Sequence, residues 1–143
     1  MQGRKIHDVP RAPAGGELVV KTLISVFITL ALLVAAGIGE HFFVVSRFER
    51  LGTAVDALYD KTMQESASRA DADAVKTLWE DEKKSLHILI PHADIAYIDY
   101  WLGEATGCIV TGNFADALSK LEVLAVICQQ LPQQYTVSIE NLF

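Results

Sequence analysis

The chain has 143 residues, 51% of them hydrophobic, and a formal net charge of −6, which leaves room for one domain beside an apolar segment. The charge is unevenly placed: in residues 1–39, Arg4, Lys5, Arg11 and Lys21 outweigh Asp8 and Glu17, whereas residues 40–143 carry sixteen acidic and eight basic side chains. An acidic domain repels phosphate backbones, and no basic patch with interleaved aromatics occurs, so nucleic acid is excluded as a partner.

Residues 1–17, with Pro10, Pro13, Gly15 and Gly16 among charges, read as a short disordered cytoplasmic tail. From Thr22 to Gly39 the sequence runs TLISVFITLALLVAAGIG, eighteen residues without a charge. At ~1.5 Å per residue this reaches about 27 Å, close to the ~30 Å hydrocarbon core of a bilayer. Leu18–Val20 can extend it if Lys21 snorkels, so residues 18–41 are expected to form a transmembrane anchor. Four basic residues precede the span and only Arg47 and Arg50 closely follow it. The positive-inside rule then puts the N-terminus in the cytoplasm and residues 42–143 outside. A cleaved signal peptide fits less well, because the apolar run is long and Ala35-Ala36-Gly37 is a poor cleavage site. A lipoprotein needs a cysteine just after the span, and the cysteines are Cys108 and Cys128. Prepilin processing at Gly16 would be followed by an apolar residue and, five positions on, a glutamate. Glu17 and Lys21 stand there instead.

Beyond the span the helical period continues. Phe48, Leu51, Val55, Leu58 and Thr62 recur three and four apart, predicting a first helix over about 42–67 that can run on from the anchor. Ser66–Asp73 is a polar break with capping candidates at Ser68, Asp71 and Asp73. A second helix is expected from there to about Leu89, with Val75, Leu78, Trp79, Leu86 and Leu89 on one face and Pro91 ending or kinking it. The third, from about Ala93 to Val110, carries the stripe Ile95, Ile98, Leu102, Ala105 and Ile109. Thr111-Gly112 stops it, and Asn113 with Asp116 begins the fourth in the manner of a capping box. The fourth presents Phe114, Ala117, Leu118, Leu121, Leu124, Cys128 and Leu131. Its run Val123–Cys128 is apolar on every side, so it is expected to be the most buried helix, closed by Pro132. Gln133–Phe143 is expected to fold back through Tyr135, Val137, Ile139, Leu142 and Phe143. The fold class is therefore all-α: a transmembrane helix, then a small bundle of about four helices ending in an antiparallel helical hairpin.

Candidate chemistry is sparse. With the hairpin turn near Gly112, Cys108 and Cys128 fall about 18 Å apart along the helices, too far for a disulfide, and read as buried free thiols. His87, His92, Asp94, Asp99 and Glu104 gather metal-ligand types, but without the His-x-x-x-His spacing zinc sites use, so no metal is assigned. There is no nucleophile elbow or phosphate loop, and no catalytic or cofactor-binding residue is assigned. The run Glu80-Asp81-Glu82-Lys83-Lys84 reads as a solvated helix face with a Glu80–Lys84 pair. Tyr97, Tyr100 and Trp101 are different. Three aromatics in five residues cannot all face the core, so Trp101 is expected to pack inward with a tyrosine partly exposed. Core filling is the plain reading of all three; contact with a partner protein is the functional one.

The stretches WEDEKK, LIPH, IAYIDYWLGEA, ALSKLEVLAVICQQLP and SIENLF, from Trp79 to Phe143, resemble an uncharacterised family of small membrane-anchored helical proteins carrying a domain of unknown function. Its members occur in Gram-positive, spore-forming, largely anaerobic bacteria. The resemblance carries no assigned activity or site. It implies a partner in the same membrane and suits two unpaired thiols. Two functions are consistent with all this. One is a non-enzymatic accessory or scaffold protein that touches the bilayer and binds a membrane protein, or a second copy of itself. The other is an extracytoplasmic ligand-binding module, for which so short a cytoplasmic tail offers no signalling output.

Overall fold

A computed structural model describes residues 15–135, and among these there are four helices and no strand. They are α1 (Gly15–Met63), α2 (Arg69–Leu86), α3 (His92–Val110) and α4 (Phe114–Gln134). The expected tail over residues 1–14 and the contacts of Val137, Ile139, Leu142 and Phe143 lie outside the described residues.

The chain divides at Gly37 into two units. In the first, the described side chains from Leu18 onward are all exposed, although nearly all are apolar. Two hydroxyls in this stretch close on the helix itself: that of Thr22 donates to the Leu18 carbonyl and that of Thr29 to the Ser25 carbonyl, each at 2.9 Å. A helix with every backbone bond internal and its hydroxyls bonded back to its own carbonyls needs no water around it. This helix is long and apolar enough to cross a membrane.

The second unit, from Ile38, is a helical bundle whose α1 portion begins to bury side chains at Val44. Phe48, Leu51, Val55, Leu58 and Thr62 are all at most 2% exposed, so the three-and-four spacing marks the buried stripe. Thr62 is polar, and its hydroxyl donates to the Leu58 carbonyl at 2.7 Å. The helix ends at Met63, short of the expected 67. Glu65 turns left-handed (φ 54), and the Ser66 and Ala67 amides donate to the Lys61 carbonyl, a turn that cannot continue a helix.

α2 starts earlier than its first hydrophobic residue suggests because Ser68 caps it. The Asp71 amide donates to the Ser68 hydroxyl while the Asp71 carboxylate accepts from the Ser68 amide, a reciprocal capping box. Asp71 also takes the Lys61 ammonium, which ties the end of α1 to the start of α2. α2 stops at Leu86 rather than Leu89: the Leu89 and Ile90 amides both donate to the Leu86 carbonyl in a tight turn that Pro91 follows. That turn buries Ile90, and Leu89 is half-buried.

The charged run on α2 is not a uniformly solvated face. Glu82 is 2% exposed and takes Arg47 at 2.7 Å and Arg50 at 2.9 Å. Lys83 and Lys84 pair three residues back, with Glu80 and Asp81, in place of the expected Glu80–Lys84 pair. The five stripe residues of α3 are all buried. Gly112, at φ +73, makes the turn into α4, and Asn113 caps α4 by accepting from the Asp116 amide. α4 departs from expectation twice. It passes through Pro132, which is buried and so near the end that few helical bonds follow the missing N–H. And its apolar run is not buried all round: Ala117, Leu121, Leu124, Cys128 and Leu131 face the core, whereas Val126 is 43% exposed.

Candidate partner-binding face

The three aromatic residues of α3 form a single cluster. Tyr97 and Tyr100 each stand edge-on to Trp101, with ring centroids 6.0 Å and 5.2 Å from it. Both tyrosines are exposed, at 49% and 57%, while Trp101 is half-buried against the core. Positions 97 and 100 flank the buried stripe residue Ile98 and point off it, so their rings lie outside the core by helical geometry. The Lys120 ammonium of α4 lies 5.2 Å above the Trp101 ring, a cation–π contact joining the two helices on this face. The Trp101 indole N–H is buried without an acceptor. That makes Trp101 the member of the cluster whose polar requirement the fold leaves unmet.

Beside the cluster a groove of about 450 Å³ runs between α3 and α4, lined by Tyr97, Asp94, Glu122, Val123, Val126 and Ile127 among others. Its apolar floor comes from the part of α4 expected to be fully buried. At its end the Tyr135 hydroxyl donates to the Asp94 carboxylate. Burial, and then that bond to Asp94, push the Tyr135 phenol up to about 12, so it stays a donor. Sequence reasoning singled out the aromatics but missed Val126, Lys120 and the Asp94–Tyr135 bond. Val126 falls between the stripe residues Leu124 and Cys128, and that position was the available signal.

Neither cysteine is bonded: Cys108 is half-buried and Cys128 buried. Burial first, and then the nearby Asp56 charge, push the Cys128 thiol up to about 12. Among the described residues no three His, Cys, Asp or Glu side chains converge on a common point that could hold a metal ion.

Architecture and surface together define the class: a small all-helical bundle preceded by a helix of membrane-spanning length. A family model described as Domain of unknown function (DUF4363) matches residues 43–142, and the chain belongs to that family. The match begins one residue before Val44, where side chains first become buried, so the family unit coincides with the bundle and omits the apolar helix. No curated protein matches the chain, and no solved structure does.

Proposed function

We propose that the chain is a membrane-anchored accessory protein without catalytic activity of its own. In this reading the bundle binds another membrane protein through the face carrying Tyr97, Tyr100 and Trp101. The observation that carries it is the pair of unpartnered surfaces. The described apolar side chains of the helix before Ile38 are all exposed, and the exposed tyrosines sit on a bundle whose core is already filled by other residues. Apolar area of the first kind is stable only in lipid; polar-tipped aromatics of the second kind are what protein interfaces favour. The excess of basic residues before the span supports an orientation with the bundle outside the cytoplasm.

Purification of the full chain in mild detergent tests this. A stoichiometric membrane protein should accompany it and be lost when Tyr97 and Tyr100 are replaced by alanine. The groove beside Tyr97 supports a second reading, an extracytoplasmic ligand-binding module. A partner-free chain whose melting temperature rises with a small molecule, and no longer does so when Val126 is replaced by tryptophan, would favour that one. For orientation, a cysteine introduced beside Phe143 in a Cys108→Ser chain should react with an impermeant maleimide in intact cells; reaction only after lysis would reverse the topology.

A further inference from the structure

The pairing of the helices fixes which loops share an end of the bundle. Arg47 of α1 meets Glu82 late in α2, whereas Lys61 meets Asp71 early in it, so α2 runs back toward Ile38. α3 turns away again, its Asp99 accepting from the Trp79 indole at 2.6 Å, and α4 returns until Tyr135 reaches Asp94. One end therefore gathers Ile38–Phe43, the turn His87–Pro91 and Tyr135. The opposite end gathers the turn after Met63 and the turn at Gly112.

These two ends differ in chemistry. The far turns are Gln64-Glu65-Ser66 and Thr111-Gly112-Asn113, polar as turns in water usually are, and the exposed apolar side chains beside them, Met63 and Val110, stand on the helix ends rather than in the turns. The near turn is His87-Ile88-Leu89-Ile90-Pro91. Ile90 is buried and Leu89 half-buried, which accounts for two of its apolar side chains. Ile88 is 77% exposed, the highest value of any large apolar side chain described. The turn does not require it: the closing bonds are made by the Leu89 and Ile90 amides to the Leu86 carbonyl, whatever stands at 88. At the same end Phe42 is 68% and Ile38 52% exposed. Phe43, half-buried, lies under the Arg47 guanidinium at 4.7 Å. His87 and His92 flank the turn and are exposed. Glu40 and Asp94 also lie at this end, but its turn carries no acidic residue, and isolated apolar side chains beside aromatic and basic groups are the composition of a membrane-contacting surface.

We propose that this end of the bundle rests on the bilayer, with Ile88 inserted at the level of the lipid headgroups and Phe42 in the interfacial aromatic belt. The inference rests on reading the apolar helix as a membrane span. The chain passes from that helix into the bundle at Ile38, so the end carrying Ile88 is the one the anchor brings to the lipid. A second contact beside the anchor limits how freely the bundle can swing, and so presents the Tyr97–Tyr100 face at a set height above the membrane.

The test uses the full chain in phosphatidylcholine–phosphatidylglycerol vesicles, with Cys108→Ser to remove the accessible thiol and Cys128 left in the core. Spin labels are placed singly at Leu30, Ile88 and Val110. The expected result is that the label at 88 loses collisions with an aqueous nickel chelate relative to the label at 110. It should also gain collisions with dissolved oxygen. A label at 88 as open to nickel as the one at 110, while the label at 30 stays in hydrocarbon, would overturn the bilayer contact and leave the span intact. Nickel access at 30 would remove the span and the contact together. An Ile88→Ser variant in detergent should melt with the parent; a large drop would assign Ile88 to the fold instead.

Discussion

The Arg47 guanidinium lies 2.7 Å from the Glu82 carboxylate, 35 residues away in sequence, and Arg50 approaches the other carboxylate oxygen at 2.9 Å. Glu82 is buried on α2 while the arginines are 31% and 61% exposed, so the carboxylate depends on them more than they depend on it. Removing both arginines leaves a buried charge without a partner, a loss of about 3 kcal/mol. For a domain of about a hundred residues, that lowers the melting temperature by on the order of 12 °C or more. Adding Glu82→Leu to Arg47→Met and Arg50→Met should recover most of the loss, because an apolar side chain suits the site. A triple variant no more stable than the double would show that the pairing contributes nothing beyond packing.

The two tryptophans should respond differently to the same change. Trp79 is 1% exposed and its indole donates to Asp99 at 2.6 Å, while the buried indole N–H of Trp101 has no acceptor. Trp79→Phe loses a hydrogen bond to a charged group and should destabilise by about 2–3 kcal/mol. Trp101→Phe removes an unmet donor and should stay within about 1 kcal/mol of the parent. Thermal denaturation of the two variants side by side checks the contrast; equal losses would contradict it.

Asp71 predicts the shape of the acid limb. The Lys61 ammonium, and then the Ser68 hydroxyl and amide, hold its carboxyl well below the usual value of 3.8. A group depressed in the folded state contributes stability above its unfolded value and loses it as the pH falls toward the folded one. Asp71→Asn should therefore melt below the parent at pH 7. The gap should close as the pH falls from about 5 to about 2. A gap that is constant over that range would mean that the carboxylate charge is not what matters.

At pH 8, iodoacetamide should modify Cys108 in the folded chain and spare Cys128 until the bundle is unfolded. Cys128 combines 6% exposure with a thiol pushed up to about 12, and only the thiolate reacts. Mass mapping after partial modification reads the order directly. Early labelling of Cys128 would show that the α1–α4 contact around it opens on its own.

What the sequence disclosed follows from how local each signal is. The stripes Phe48–Thr62 and Ile95–Ile109 were legible because each repeats at the helical period over at least four turns. Ser68, Gly112 and Asn113 were legible because caps and left-handed turns select residue type within three or four positions. Glu82 was not, since a carboxylate inside EDEKK reads as solvated and its partners stand on another helix. Its place in the series Val75, Trp79, Glu82, Leu86, spaced four, three and four, was the sign that it faces inward. The exposure of Val126 was hidden for the opposite reason: an apolar run does not say which of its sides lacks a neighbour. For the candidate face, the sequence supplied Tyr97, Tyr100 and Trp101, but the Lys120 contact and the groove depend on how α3 and α4 pack.

A bundle that meets a membrane partner through its aromatic face must bring that partner within reach of Tyr100. Site-specific photocrosslinking in native membranes tests that contact most directly. A benzophenone side chain at Tyr100, exposed on that face, should yield one discrete adduct with a membrane protein. The same group at Lys76, exposed on α2, should not. Identical adducts from both positions, or none from position 100 while the chain stays in the membrane fraction, would contradict that contact.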